Sequence, residues 1–388
     1  MTRAAVDRTP APPRNLNRDI SATLERFISR KRADFALLGP DVTPLFDLAS
    51  QAVAGGKRLR PAFAYWGWRA AGGSATDTEA ITTAAAAVEL VHASALIHDD
   101  VIDGSATRRG RRSTQQEFAA LLPGGAVPSS GPPPPEVSNA RSIGRPPPDK
   151  SVEATGLQFG SSAAILLGDL LLSWSDELLA TSGFKPKVAA RGRRYFDLLR
   201  GEVVAGQYLD VLGQASDRST AADAMRVVRY KSAKYTVERP LQFGAALAKA
   251  GEPLLTALSS YGVPLGEAFQ LRDDVLGVFG ETQVTGKPSG DDLREGKRTL
   301  LLARAFDEAT AEQAAVLKEH VGDSTLDAGG IAAVQQVLRD TGALTNVEAV
   351  IAHLKSASLA ALESAPITDQ EAVEALRSLA DQATNRSL

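Results

Sequence analysis

The chain has 388 residues, 44% of them hydrophobic, and a formal net charge of −3. That length makes one large domain or two ordinary ones, and the mildly acidic balance leaves no broad basic footprint for nucleic acid. Cysteine is absent, which excludes disulfides, thiol catalysis and Cys-based zinc sites and suits a reducing, cytoplasmic setting.

Residues 1–19, MTRAAVDRTPAPPRNLNRD, hold arginines and prolines but no apolar segment. They read as a disordered extension, not a secretory leader. From residue 20 onward Ala and Leu recur at helical spacing, with few alternating β-branched runs. The spacing predicts helices at about 20–35, 43–54, 58–72, 77–104, 157–182, 186–213, 220–250, 253–279, 298–319 and 329–341, with more beyond. Thr76 and Glu79 predict a capping box at the start of the fourth. Between the fourth and fifth lies a stretch dominated by Gly and Pro, at about 122–156. Such a composition cannot bury a core, so it reads as a disordered insertion. The richest apolar run, AAILLGDLLLSW, carries Asp169 and falls short of the ~20 residues of a membrane span. The expectation is one all-α domain over 20–388, a bundle of long helices, with no transmembrane segment.

Two helix ends carry the chemistry. LIHDDVIDGSATRRG, residues 96–110, runs an apolar helix into Asp99, Asp100 and Asp103, with Arg108 and Arg109 just beyond. Asp99 and Asp103 are i and i+4, on one side of the helix. Like charges there need a counter-charge, and a hard dication such as Mg²⁺ suits one or two carboxylates plus substrate phosphates. FQLRDDVLG, residues 269–277, repeats the design with Asp273 and Asp274. TGKPSGDDLREGKRT follows at 285–299, with Lys287, Asp291, Asp292 and Lys297. Two acidic helix ends, each followed by cations, read as two sides of one metal–phosphate site. Upstream, GGKRLRP at 55–61 sets Lys57, Arg58 and Arg60 after two glycines, an arrangement that can clamp an anion.

In that order GGKRLRP, HASALIHDDVIDGSATRRG, RYKSAKYT, FQLRDDVLG and GKPSGDDLREGKRT resemble the motifs of the trans-isoprenyl diphosphate synthases, or polyprenyl synthetases. The resemblance implies a single domain of long antiparallel helices around a central active-site cavity, and a homodimeric enzyme that joins isopentenyl diphosphate to an allylic diphosphate, head to tail, releasing pyrophosphate. It implies that Asp99, Asp100, Asp103, Asp273 and Asp274 hold about three Mg²⁺ on the allylic diphosphate. Arg108, Lys231, Lys287 and Lys297 would bind that diphosphate. Lys57, Arg60, His92 and Arg109 would bind isopentenyl diphosphate, and Gln270 would face the reacting centre. Arg386 is a further cation able to reach the second diphosphate. Two positions depart from the family pattern. Gly277 stands where a third aspartate is usual, leaving Asp291 or Asp292 to contribute. Lys231-Ser232 stands for Lys-Thr, with Lys234 as a rival lysine.

Family members with short products close the tail tunnel with aromatics four or five residues before the first aspartate. Those positions are Ala95 and Ser94, with Val91 one turn deeper. Small residues there predict a tunnel open past C15, and geranylgeranyl diphosphate, C20, as product. Farnesyl or longer products, a non-catalytic partner subunit and a class I terpene cyclase are the alternatives.

Overall fold

The computed structural model describes residues 16–122, 150–216, 220–280 and 290–384. The helices are α1 (Leu16–Asp34), α2 (Thr43–Ala52), α3 (Leu59–Ala70), α4 (Thr78–Ile102), α5 (Thr114–Ala119), α6 (Lys150–Ala180) and α7 (Pro186–Gln214). Next come α8 (Ala221–Val227), a π-helical segment Val228–Glu238, α9 (Arg239–Leu247) and α10 (Glu252–Phe279). The last are α11 (Asp291–Arg294), α12 (Leu300–Glu308), α13 (Ala311–His320), α14 (Ala328–Asp340), α15 (Ala343–Glu363) and α16 (Gln370–Thr384). Among the described residues the only strands are Thr107–Arg108 and Arg111–Arg112, paired antiparallel. The all-α expectation holds.

Local corrections have local causes. The helix expected at 298–319 is two, because Thr310 and Gln313 form a capping box that starts a new one. No such box forms at Thr76 and Glu79: Thr76 sits in a short 3₁₀ turn capped by Ser74, and α4 starts two residues later. Residues 16–19 and 150–156, read as disordered, are helical. Beyond the prolines, SVEATGL contains nothing to stop a helix. The rest of the Pro/Gly-rich stretch, 123–149, lies outside the described residues, as do Lys287 and Arg386.

Ala-rich α4 runs through the main core, with Ala84, Ala85, Ala86 and Ala87 all fully buried. Its small side chains let several helices pack against one. Helix α6 packs antiparallel: Gly183 approaches Ala80 at one end, and His98 Nε2 lies 3.1 Å from the Ile165 carbonyl at the other. By length and composition alone Ala75–Ile102 and Ala154–Ala180 could each cross a membrane, a test that the core helix of a soluble protein also passes. The first is 72% buried within the protein over its most apolar window, as a core helix is; the second is 33% buried. A second apolar cluster gathers Leu271, Val275 and Val278 of α10 with Leu301, Leu302 and Val334. Helix α10 therefore runs through both cores and delivers its acidic end between them.

Candidate active site

A cavity of about 740 Å³ opens where α3, α4, α7, α10 and the π-helical segment meet. Lys57, Arg60, His92, Ala95, Asp99, Arg108, Arg109, Lys231, Gln270, Asp273, Asp274 and Lys297 line it. Motifs spread over 240 residues of sequence thus converge on one space.

Its acidic end is built of ion pairs. Lys231 Nζ donates to Asp99 Oδ1 at 3.1 Å and to Asp210 Oδ2 at 2.6 Å. Gln207 Nε2 donates to the same Asp99 oxygen at 3.1 Å. Burial alone would raise the Asp99 pKa, yet Lys231, Lys297 and Arg108 pull it below the usual carboxylate range. Asp103 goes the other way: burial and the neighbouring Asp99 charge push it up. Lys297 pairs with Glu295 at 2.6 Å, Asp292 at 3.1 Å and Asp103 at 3.7 Å. It therefore ties the segment after α10 to the end of α4, and these carboxylates outweigh burial to raise its pKa well above the ordinary lysine value.

Asp100 departs from its expected role as a metal ligand. One residue from Asp99, it points about 100° away, is 3% exposed, and receives Arg108 Nε at 2.9 Å. It aims Arg108 and does not line the cavity. On α10, Gln270 Nε2 donates to Asp274 Oδ1 at 2.8 Å while its oxygen accepts from Ser232 Oγ. Burial pushes Asp274 up to about 7. Of the two rival lysines, Lys231 faces the cavity and Lys234 pairs with Glu238 at 2.7 Å.

The π-helical segment explains the lysine's placement. Its wider turn brings Val227, Val228, Lys231, Ser232 and Tyr235 onto the cavity wall at four-residue intervals, and π-helical turns recur at functional sites. Gly206 of α7 permits the approach: a Cβ there would lie 2.3 Å from the Lys231 backbone nitrogen. The signal GQYLD, residues 206–210, was in the sequence. It supplies Gln207 and Asp210, which motif reading missed.

The opposite end holds cations. Arg109 and Gly110 have φ of 54° and 72°, the two left-handed residues of a two-residue hairpin turn. This turn sends Arg108 toward Asp99 and Asp100, and carries the Arg109 guanidinium to Gly56, beside Lys57. Arg60 lies 4.4 Å from the Tyr235 ring centroid and donates to Thr236 Oγ1 at 2.9 Å. Its Nη1 is 3.2 Å from His92 Nε2, and His92 Nδ1 is 3.1 Å from the Tyr235 hydroxyl. Because guanidinium only donates, Nε2 accepts and the proton sits on Nδ1. Burial, then Arg60 and the other arginines, hold His92 well below its ordinary pKa, so the ring is neutral. Burial and its fellow arginines likewise lower Arg109. The carboxylate lining this end, Glu89, is committed to Arg58 at 2.7 Å in a buried pair. Arg58 is thereby a structural residue of the GGKRLRP loop.

Among the described residues no three His, Asp or Glu side chains gather closely enough to hold an ion alone. Yet both Asp103 oxygens are buried and accept no hydrogen bond. Buried carboxylate oxygens beside Asp99 that receive no hydrogen bond fit Mg²⁺, which takes one or two carboxylates and completes its shell with water and phosphate. Gly277 gains a meaning too. A Cβ there would stand 1.8 Å from Asp292 Oδ2, so the Asp292 carboxylate fills the space into which a side chain at 277 would project.

These features agree with comparisons to known proteins. The polyprenyl synthetase family profile matches residues 43–123 and 149–338. The chain belongs to that family. It is a prenyltransferase of the trans-isoprenyl diphosphate synthase type. A geranylfarnesyl diphosphate synthase of Aeropyrum pernix is 29% identical over 336 residues, 86% of this chain and 91% of that one. An octaprenyl diphosphate synthase of Haemophilus influenzae is 31% identical over 288 residues, 74% of this chain and 72% of that one. A crystal structure of geranylgeranyl pyrophosphate synthase from Corynebacterium glutamicum, complexed with isoprenyl diphosphate and magnesium, superposes with a TM-score of 0.84. It is 35% identical, and the match covers 96% of this chain and all of that one. The three relatives are named for products of three lengths, so family membership does not fix this chain's product length.

Proposed function

We propose that this prenyltransferase condenses isopentenyl diphosphate with C5 to C15 allylic diphosphates, with Mg²⁺, to give all-trans geranylgeranyl diphosphate. The observation that carries the reading is the division of one cavity into a carboxylate-and-cation end and a cation end. A diphosphate with metal fits the first, and a diphosphate without metal fits the second.

At the acidic end Asp99 and Asp103, facing Asp273 and Asp274, would hold magnesium, which neutralises charge on the departing diphosphate. Arg108, Lys231 and Lys297 already lie against these carboxylates and would bind the diphosphate oxygens. Fixed cations there stabilise charge as it develops on the leaving group. At the other end Lys57, Arg60 and Arg109 would bind isopentenyl diphosphate, with neutral His92 orienting Arg60. The allylic C–O bond breaks with its electron pair leaving on pyrophosphate. The isopentenyl double bond attacks the allylic carbon, and the departed pyrophosphate takes the proton. Gln270, fixed by Ser232 and Asp274, faces the gap between the two substrates. The apolar wall formed by Ala95, Val203 and Phe269 excludes water from the cation.

The GGKRLRP cations on the cavity wall disfavour a terpene cyclase. The Asp292 carboxylate in the space of position 277 speaks against an inactive partner subunit. Exposed apolar side chains on α6 (Leu157, Phe159, Ile165, Leu166) and α7 (Val204, Tyr208, Leu212) support a homodimer across those helices, measurable by light scattering.

The test is product analysis. Purified protein is incubated with Mg²⁺, isopentenyl diphosphate and a C5, C10 or C15 allylic diphosphate, and the dephosphorylated alcohols are resolved by length. A dominant C20 alcohol is expected from each primer. No Mg²⁺-dependent condensation from any primer overturns the reading.

A further inference from the structure

A run of wide helical turns needs outside support. Such turns normally occur singly, as bulges within an α-helix, yet here the winding runs over Val228–Glu238, 11 residues. Two neighbouring helices press on the segment where glycines leave room. Gly206 of α7 meets the Lys231 backbone, while Gly266 and Gly262 of α10 meet the backbones of Ala233 and Glu238.

On the side away from the cavity the segment carries charge that the proposed reaction does not use. Lys234 Nζ donates to Glu238 Oε2 at 2.7 Å and stands 3.8 Å from Glu202 Oε1. Glu202, on α7, accepts from both Nε and Nη2 of Arg239 at 2.7 Å. Arg239 Nη1 donates to Gln242 Oε1 at 2.6 Å and lies 3.7 Å from Glu238. Ser259 of α10 donates to the other Glu238 oxygen. Two cations and two carboxylates thus close a ring, their side chains 4–17% exposed, and none of the four lines the cavity. Burial would lower the Arg239 pKa, but the bonds from Glu202 and the Glu238 charge raise it. With so little solvent the members depend on one another, because removing one leaves a partner's charge unanswered.

The ring holds both sides of the contact that places Lys231. Glu202 lies four residues, about one turn, before Gly206 on α7, and Lys234 follows Lys231 by three residues in the segment. We propose that the ring of Glu202, Lys234, Glu238 and Arg239 is a positioning device that fixes where the Lys231 ammonium stands, and so sets how tightly the acidic end holds a diphosphate it does not itself touch. The inference rests on the reading that Lys231 meets the allylic diphosphate. It gives Lys234, the second lysine of RYKSAKYT, a task distinct from that of the first. With the ring closed, the segment keeps its wide turns and Lys231 stays against Asp99 and Asp210. With a member removed, the segment is free to tighten, and Lys231 turns away from the cavity.

The experiment measures the affinity of the full chain for inorganic pyrophosphate with Mg²⁺ by calorimetry, with urea unfolding alongside. Wild type, Lys234→Met and Lys234→Arg are compared, each with Lys231 intact and with Lys231→Ala. With Lys231 intact, Lys234→Met should weaken binding about tenfold, the worth of a hydrogen bond to a charged group, and Lys234→Arg should recover most of that loss. In the Lys231→Ala background Lys234→Met should cost less than about twofold, because residues acting through one contact are not additive. In turnover the loss should fall on KM for the allylic primer and leave KM for isopentenyl diphosphate unchanged. Equal losses in both backgrounds, or a folded Lys234→Met variant that binds as wild type does, overturn the proposal. If Lys234→Met fails to fold, Glu202→Gln must show the same pattern. Wild-type protein that binds pyrophosphate yet condenses nothing overturns the condensation reading alone, and the same pair of backgrounds still decides for or against the ring.

Discussion

The two ends of the cavity answer their cations in two ways. At the acidic end every cation with a described contact is already answered by a carboxylate: Lys231 by Asp99 and Asp210, Arg108 by Asp100, Lys297 by Asp292 and Glu295. At the other end Arg60 is held by a neutral imidazole, a hydroxyl and an aromatic ring, and its Nε is buried without a partner. Under the proposed reaction the first end would meet charge leaving with the pyrophosphate, with a metal's help, and the second would bind the group that keeps its diphosphate. If the proposed assignment holds, the difference separates binding from bond breaking in space by what answers each cation.

Substitutions can break that division. Asp99→Ala should have the largest effect, lowering kcat by about 10²–10³-fold or more with little change in KM for isopentenyl diphosphate. A rise confined to that KM would erase the distinction between the ends. Arg60→Ala should do the converse, raising KM for isopentenyl diphosphate about 10–100-fold, the worth of a hydrogen bond to a charged group. Release of allylic alcohol from the primer alone should survive it. Gly277→Asp should weaken the Mg²⁺ dependence of the rate by about tenfold, since the new carboxylate lands on Asp292. Adding Asp292→Gly should restore it, and lack of restoration would dissociate the two positions.

A fourth test concerns the frame. Glu89→Ala leaves Arg58 charged and buried, so thermal or urea unfolding should show a loss of about 3–5 kcal/mol. The smallest effect is expected at His92. Its pKa lies well below the ordinary value near 6.5, so the folded ring stays neutral across about pH 6.5–8.5. His92→Gln should therefore leave the pH dependence of KM unchanged over that window. Because the folded value is depressed, neutral His92 costs nothing above the ordinary value, and stability is lost as pH falls below it.

How much of this was legible beforehand differs by residue. The helices and the two acidic ends followed from periodicity and from charge at helix termini. Asp99, Asp273 and the GGKRLRP cations line the one cavity, while Asp103 is buried behind it, 3.7 Å from the lining Lys297. Periodicity alone could not tell Asp99 from Asp100, because which carboxylate a neighbouring arginine claims depends on a hairpin turn eight residues away. Gln207 and Asp210 escaped notice because their partners, Asp99 and Lys231, are distant in sequence. Likewise Ser94 and Ala95 differ by a rotation of about 100°, and only packing against α6 decides which meets the cavity. Lys234 was separated from Lys231 by backbone winding, a property no composition reveals.

That winding has a consequence for how the protein can change over generations. Over Val228–Glu238 the backbone holds an extra residue per turn relative to its flanks. Here the count of residues matters as much as their identity. Deleting one residue within the segment would let it relapse toward ordinary winding and swing Lys231 by about 100°. The segment should therefore tolerate many replacements on its outward side, yet reject a change in length that a loop would absorb unnoticed.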